Sequence, residues 1–185
     1  MSIVDALKGS LSSVVSGVGD VVSTTRSVTK DTVVSLLESG GEVATTSLAV
    51  VSDTVADGVG AVKSVGASVT QGVTGLVSGA ISGAKQVGGD VGTAATEAAR
   101  GAVKGAAAVG EDVGQVAVAA VEGSIHAAGE VGADTGDLAK SAVLGTLRAA
   151  DEVGSEAGDI VRKALLNAAA LPHDVIDALL TGKTE

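Results

Sequence analysis

The chain has 185 residues, a net charge of −10 and 45% hydrophobic residues, yet it contains no aromatic residue and no cysteine. Net negative charge without stacking aromatic rings argues against a nucleic-acid-binding protein, and the lack of cysteine excludes disulfides and thiolate metal sites. Because aromatic side chains supply much of the buried area in most cores, this composition predicts many small contacts along an extended surface.

The N-terminal residues do not have the pattern of a secretory signal. Asp5 and Lys8 interrupt the apolar stretch that such a signal requires. We therefore expect a cytoplasmic protein, with membrane association as a further possibility.

Apolar residues recur every 11 positions, in one phase, from Ile3 to Leu165. Eleven residues in three turns correspond to about 3.67 residues per turn, close to a regular α-helix. The apolar and small columns cover about half of the helix circumference. The pattern predicts an all-α protein in which residues 1–170 form one continuous amphipathic helix, about 250 Å long.

A β-solenoid is the alternative fold, because Val, Thr and Gly also favour strands and turns. Strands require period-two alternation, whereas Val14–Val15 and Val33–Val34 are adjacent apolar pairs. The helical interpretation is preferred. The residues predicted to line the apolar face are Leu7, Val14, Val18, Val21, Val51, Val62, Val69, Val73, Val87, Val91, Val109, Val113, Val131 and Val153.

Residues 64–84 carry no charge, and a stretch of this length can cross a bilayer. It contains several Ser and Thr residues, however, and it keeps the phase of the surrounding repeat. We expect it to belong to the same amphipathic helix.

From about Gly79 the repeat doubles to 22 residues, and glycines mark both borders of the apolar face. Glycine lowers helix propensity by about 1 kcal/mol relative to alanine, so its regular use predicts close approach of another helix, as in a glycine zipper. The glycines assigned to helix–helix packing are Gly79, Gly83, Gly88, Gly92, Gly101, Gly105, Gly110, Gly114, Gly132, Gly136, Gly154 and Gly158.

Charged residues are also divided between the two borders, with bases along one and acids along the other. Such a helix is complementary to a parallel copy of itself, which predicts side-by-side assembly into a tube, α-barrel or filament. The residues assigned to charge pairing between helices are Lys8, Lys30, Lys63, Lys85, Lys140, Arg162, Asp20, Asp31, Asp53, Asp90, Asp112, Asp134 and Glu156.

The end of the chain differs from the repeat. Pro172 interrupts the helical pattern, and residues 171–185 are predicted to form a short C-terminal helix and tail.

No arrangement of side chains predicts catalysis. The two histidines, His126 and His173, have no neighbouring cysteine or second histidine, and a solvated histidine is the simpler interpretation of His126. We expect no enzyme activity, metal site, cofactor or small-molecule substrate.

The run Gly58–Val73, with its Val, Thr, Gly and Ala residues in an 11-residue pattern, resembles the lipid-binding segments of synucleins. The longer 22-residue units are similar to those of perilipins and exchangeable apolipoproteins, and the pattern also resembles hendecad coiled coils. These resemblances imply helix formation on lipid and no catalysis. The chain lacks the synuclein Lys-Thr-Lys-Glu-Gly motif, which weakens the expectation of flat binding to anionic bilayers.

The sequence thus predicts a structural protein that assembles with copies of itself around an apolar interior, where phospholipid or another lipid binds. The alternative is a peripheral membrane or lipid-droplet coat protein that becomes helical on lipid. The expected partners are the protein itself and lipid or membrane, without nucleic acid.

Overall fold

The fold was determined as a computed structural model that describes residues 3–15, 20–39, 48–168, 171–172 and 175. These residues form eight α-helices and no strand. The predicted all-α class is confirmed, and the β-solenoid alternative is wrong for the described part of the chain. The helices are α1 Ile3–Val15, α2 Val21–Ser39, α3 Ala49–Ser64, α4 Val69–Gln86, α5 Val91–Ala108, α6 Val113–Val131, α7 Thr135–Val153 and α8 Ser155–Asn167.

The prediction of one continuous helix over residues 1–170 is wrong, because each 22-residue unit ends in a tight turn. Gly88, Gly110 and Gly132 have φ of 77°, 71° and 69°, a left-handed conformation that ends a helix and that glycine adopts without a steric penalty. After Gly110, the Glu111 N–H donates to the Ala106 carbonyl at 2.9 Å, which closes the preceding helix. These glycines terminate helices.

The residue two positions after each turn glycine begins the next helix. The side chain of Asp112 accepts a hydrogen bond from the Gln115 N–H at 2.9 Å, and Asp134 accepts one from the Asp137 N–H at 2.9 Å. A carboxylate at this position satisfies a backbone donor that the first helical turn leaves unpaired. The sequence Val-Gly-x-Asp therefore both stops one helix and starts another.

The helices form two layers, with α2, α4, α6 and α8 in one and α1, α3, α5 and α7 in the other. Neighbours within a layer are parallel, because contacts between them keep a constant separation: Ser52 meets Gly101 and Ala56 meets Gly105, each pair 49 residues apart. Consecutive helices lie in opposite layers, and from α3 onward they are joined by short turns.

The first two helices belong to the same two layers, but contacting residues are separated by a different number of positions in the sequence. Between α2 and α4 the equivalent contacts, such as Arg26 with Gly79 and Lys30 with Gly83, lie 53 residues apart. These pairs are thus four residues further apart in the sequence than the pairs between later helices (53 − 49). Residues 40–47, between α2 and α3, lie outside the described residues. The 11-residue phase of the sequence continues through both helices, while the packing of α2 on α4 is shifted by these four residues.

The core lies between the layers and consists mainly of Ala and Val. Ala95, Ala99, Val103, Val77 and Val121 are fully buried. Small side chains allow the layers to approach closely, because a protein interior requires close-packed side chains and not large ones. The lack of aromatic residues therefore does not prevent a compact arrangement, contrary to the composition-based prediction.

The uncharged stretch 64–84 contains the end of α3, the turn at Gly66 and most of α4. Among the described residues no helix combines the length and apolarity needed to span a membrane. In the segment 171–185, Leu171 and Val175 are buried; the remainder of the predicted C-terminal helix lies outside the described residues.

Candidate functional site

The closest contacts in the molecule are glycine seams between neighbouring helices of one layer. A methyl group at Gly123 would lie 2.7 Å from the Thr74 carbonyl oxygen, and one at Gly105 would lie 2.8 Å from that of Ala56. At Gly101 and Gly145 a methyl group would overlap a backbone carbonyl of the preceding helix. Only glycine permits these backbones to approach so closely.

Threonine hydroxyls add polar contacts to the same seams. Thr96 Oγ1 lies 3.1 Å from both the Gly92 carbonyl of its own helix and the Ser141 carbonyl of α7. Thr74 Oγ1 is similarly placed between the carbonyls of Thr70 and Ala119. Each hydroxyl has one proton to donate, which the two carbonyls share. Neighbouring helices are thus joined by a repeated glycine–threonine arrangement.

The predicted packing glycines fall into distinct structural groups. Gly79, Gly83, Gly101 and Gly105 lie in the seams within a layer, and a methyl group at Gly114 would lie 2.9 Å from Ala164 Cβ in α8. Gly92 lies 3.5 Å, by the same measure, from Ser141 Oγ. The other glycines, which form turns or adjoin residues near them in sequence, are Gly88, Gly110, Gly132, Gly136, Gly154 and Gly158. Intermolecular packing by any of these glycines stays a prediction.

The predicted apolar lining is also distributed unevenly. Leu7, Val51, Val62 and Val73 are buried. The residues next to the turns are half-buried, and Val153 is 47% exposed; the half-buried group is Val21, Val69, Val87, Val91, Val109, Val113 and Val131. Val18 and the side chain of Val14 lie outside the described residues. The described part of the apolar face is thus covered mainly by other helices of the same chain.

Several of the predicted charge-pairing acids are helix caps. Asp90 accepts a hydrogen bond from the Thr93 N–H at 2.7 Å, and Asp20 accepts one from the Val22 N–H at 3.1 Å. Asp112 and Asp134 cap α6 and α7. The Val-Gly-x-Asp pattern, read as a turn followed by a cap, was the available sequence signal for this role. The remaining predicted acids, Asp31, Asp53 and Glu156, are exposed.

Ion pairs bridge neighbouring units on the surface. Lys63 Nζ lies 3.0 Å from Glu111 Oε1 and also donates to the Val109 carbonyl. Arg162 lies 3.5 Å from Asp151. Of the other predicted bases, Lys8 lines a groove beside α3, Lys85 is exposed, and Lys30 and Lys140 are half-exposed.

The densest charge cluster joins α5 and α7, and the sequence analysis did not single it out. Glu152 lies 2.6 Å from Arg100 and 2.9 Å from Lys104, and Glu97 lies 3.8 Å from Arg100. Hydrogen bonding from Lys104, with a smaller contribution from Arg100, lowers the pKa of Glu152. The cluster is partly exposed and its acids are already paired with bases, as expected of a structural network.

A groove of about 540 Å³ separates α8 from α6. One column of seam glycines recurs every 22 residues. It contains Gly79, Gly101, Gly123 and Gly145, and its next position is Asn167 in α8. Asn167 and Lys163 line the groove opposite Val118 and Glu122. Asn167 occupies the position that glycine holds in the earlier seams, and the groove lies beside it, although Gly114 still packs against Ala164 of α8.

Large apolar side chains are exposed mainly at the ends of the stack. Among the described residues, the exposed large apolar side chains are Leu36 in α2, Val50 in α3, Leu144 and Val153 in α7, and Ile160 and Leu166 in α8. None of them belongs to α4, α5 or α6. The middle of the stack therefore covers its apolar surface, whereas its last two helices do not.

The geometry defines an all-α repeat protein with one helix in each 22-residue unit. No protein-family model, curated protein or solved structure gives a significant match to this chain. Within the described residues no cluster of His, Cys, Asp or Glu has a metal-binding arrangement.

A cap mutation tests the link between the Val-Gly-x-Asp pattern and stability. Replacing Asp90 with Ala should lower the free energy of unfolding by about 1 kcal/mol at neutral pH, because the Thr93 N–H loses its acceptor. Hydrogen bonds from Thr93 lower the pKa of Asp90, so the carboxylate stabilises the fold above the ordinary aspartate pKa, and this contribution disappears as the pH falls through the lowered value. Urea unfolding of wild type and Asp90→Ala at neutral and strongly acidic pH measures both effects.

Asp90→Asn is the matched control for that experiment. It keeps an acceptor oxygen without a titrating group, so its difference from Asp90→Ala should not change with pH. An Asp90→Ala effect that is equally large at the most acidic pH would contradict the assignment of the charged carboxylate as the cap.

Proposed function

We propose that this protein has a structural role, in which copies associate end to end through the open edges of the two-layer stack. The observation that carries the proposal is the exposure of Leu144, Val153, Ile160 and Leu166 on the last two helices. Repeat proteins that remain monomeric normally cover their terminal units with polar residues, and concentrated apolar exposure marks interaction surfaces.

The placement of the ionisable side chains supports a structural rather than a catalytic role. Asp90, Asp112 and Asp134 are committed to capping helices, and Glu152 is paired with two bases. A general acid or base requires a shielded group with a pKa suited to proton transfer near neutral pH. These carboxylates instead hold the repeats together, so the proposal assigns no reaction to the protein.

End-to-end association preserves the parallel, side-by-side helix arrangement predicted from the sequence. Because neighbours within each layer of one chain are parallel, a second copy that continues both layers meets the first in the same orientation. Such a contact joins two different surfaces and therefore propagates into a filament, unless curvature closes a ring.

A lipid-coating role is the second candidate, and the length of the repeat favours it. A helix of 18 residues plus a four-residue turn gives 22 residues, as in Val91–Ala108 followed by 109–112, which is two 11-residue periods. The 11-residue apolar pattern therefore continues through the turns. A stack of separate helices does not require turns of this length. On a lipid surface, straightened turns would place the apolar residues of successive units on one side of the chain.

Sedimentation velocity of the full chain over a hundredfold concentration range, with and without neutral phospholipid vesicles, tests both roles. End-to-end association predicts lipid-free species whose masses are successive multiples of 17.5 kDa. A monomer at every concentration would contradict it. A lipid coat predicts that the vesicles instead take up the monomer. The distance between spin labels at Lys85→Cys and Gly129→Cys should then increase towards about 66 Å as the turns straighten.

A further inference from the structure

We infer that the contact between copies is head to tail, with the exposed edge of α7 and α8 in one molecule seated on the exposed edge of α1 and α2 in the next. This inference rests on the proposed end-to-end association and specifies its surfaces. It follows from the repeat register, which identifies the residues that would occupy the next seam.

Equivalent residues in neighbouring helices of one layer are 44 positions apart in the sequence (Gly145 − Gly101). The residues of the C-terminal edge are found by applying this step once more, from α5 to α7 and from α6 to α8. The Ser52 carbonyl faces Gly101 and the Thr96 carbonyl faces Gly145, and the next position in this series is Lys140 (96 + 44). The same step, applied to the carbonyls of the neighbouring seam contacts, ends at Leu144, Arg162 and Leu166. We call these four residues the C-terminal edge; Leu144 is 39% and Leu166 42% exposed.

The residues of the N-terminal edge are found in the same way, by subtracting the separation between equivalent residues of neighbouring helices. The position equivalent to Gly101 in α3 is Asp57, and the four-residue shift measured between α2 and α4, carried over to α1, gives Gly9 (57 − 48). A methyl group at Gly9 would meet nothing within 4 Å. In α2 the position equivalent to Gly79 is Asp31 (79 − 48), which lies with Ser35 and Leu36 along a groove of about 390 Å³ between α1 and α2. We call Gly9, Asp31, Ser35 and Leu36 the N-terminal edge.

The two edges are complementary in size and in charge. One carries two exposed leucines, and the other offers a glycine with open space and a groove whose lining includes the exposed apolar side chain of Leu36. Lys140 and Arg162 give the C-terminal edge two bases, although Arg162 also lies near Asp151, whereas Asp31 gives the N-terminal edge an acid. Opposite charges orient an encounter and disfavour an edge meeting its own kind.

The register also places the backbone contact. In the molecule the row of carbonyls from Ser52 and Ala56 packs on Gly101 and Gly105. In the proposed contact the carbonyl of Lys140 packs on Gly9 in the same way. The occupant of each edge is therefore a second copy of this chain, with the glycine contact of the internal seams reproduced at Gly9.

Blocking one edge at a time distinguishes a head-to-tail contact from a symmetric one. Gly9→Leu fills the N-terminal edge and Leu144→Glu places a charge on the C-terminal edge, with Leu166→Glu as a second C-terminal variant should Leu144→Glu reduce folding. Gly129→Leu is the matched control, because Gly129 is also helical, with open space within 4 Å, but lies on neither edge. Circular dichroism verifies that each variant is folded.

The head-to-tail contact predicts that each blocked variant alone is monomeric, whereas an equal mixture of Gly9→Leu and Leu144→Glu forms a 1:1 dimer through the two intact edges. The Gly129→Leu variant should assemble like wild type. A variant that dimerises by itself would reveal a symmetric contact and overturn the inference, as would blocked variants that assemble like wild type. In both cases the proposed association itself would stand; a wild-type chain that remains monomeric would instead refute the association.

Discussion

Replacing Gly101 with Ala should destabilise the protein by about 3 kcal/mol, near the upper end of the usual overpacking range. The new methyl group would overlap the Ser52 carbonyl, and a backbone atom of a packed helix cannot move aside as a flexible side chain can. The substitution raises helix propensity, so propensity and packing predict opposite signs. Chemical unfolding followed by circular dichroism measures the free-energy change.

Gly129→Ala provides the matched comparison. Gly129 lies in α6, and a methyl group there would meet nothing within 4 Å. This variant should be more stable than wild type by up to about 1 kcal/mol, because alanine restricts the unfolded chain and favours the helix. If Gly101→Ala were stabilising as well, no close backbone contact would exist at Gly101 and the layered arrangement would be wrong.

Replacing Gly88 and Gly110 with Ala together should lower the free energy of unfolding by about 2–4 kcal/mol. Both residues have positive φ, and a left-handed conformation costs an alanine about 1–2 kcal/mol. The two turns lie at opposite ends of α5, an 18-residue helix about 27 Å long, so their effects should add. Neither methyl group would touch another residue, which isolates the backbone contribution.

The double replacement with Asn is the control for the turn glycines. Asparagine adopts the left-handed conformation more readily than alanine, so Gly88→Asn with Gly110→Asn should lose clearly less stability than the alanine pair. Urea unfolding of the two double variants compares them directly. In one continuous helix both glycines would have negative φ and the alanine pair would be stabilising; that result would restore the uninterrupted helix that the structure replaces.

The candidate interaction edges could be located only after the fold was known. The sequence marks Lys140 and Arg162 as bases beside an apolar border and Asp31 as an acid beside the other. It does not reveal that the contacts of α2 with α4 are shifted by four residues relative to those of the later repeats. This shift, carried over to α1, places Gly9 in the column of Gly101. Leu144 and Leu166 have the same apolar character as buried residues, and their exposure depends on α7 and α8 being the last helices in the stack.

The 11-residue period was sufficient to predict helices and the face on which Leu7, Val62 and Val73 lie, because a period near 3.67 residues fits an α-helix and no strand. The turns were not recognised, although each had a local signal, since Val109-Gly110-Glu111-Asp112 keeps the apolar phase whether it is helical or bent.

Only the tertiary structure decided which surface covers the apolar face. A hydrophobic stripe specifies that a partner is needed, but it carries no information on whether that partner is another molecule or a later part of the same chain. Left-handed glycines and aspartate caps reverse the chain after α4, α5 and α6, which have 18 or 19 residues each, so the next helix is tethered nearby. This proximity favours intramolecular packing over association between separate chains. Among the described residues it leaves large apolar side chains exposed mainly on the helices near the two ends of the stack.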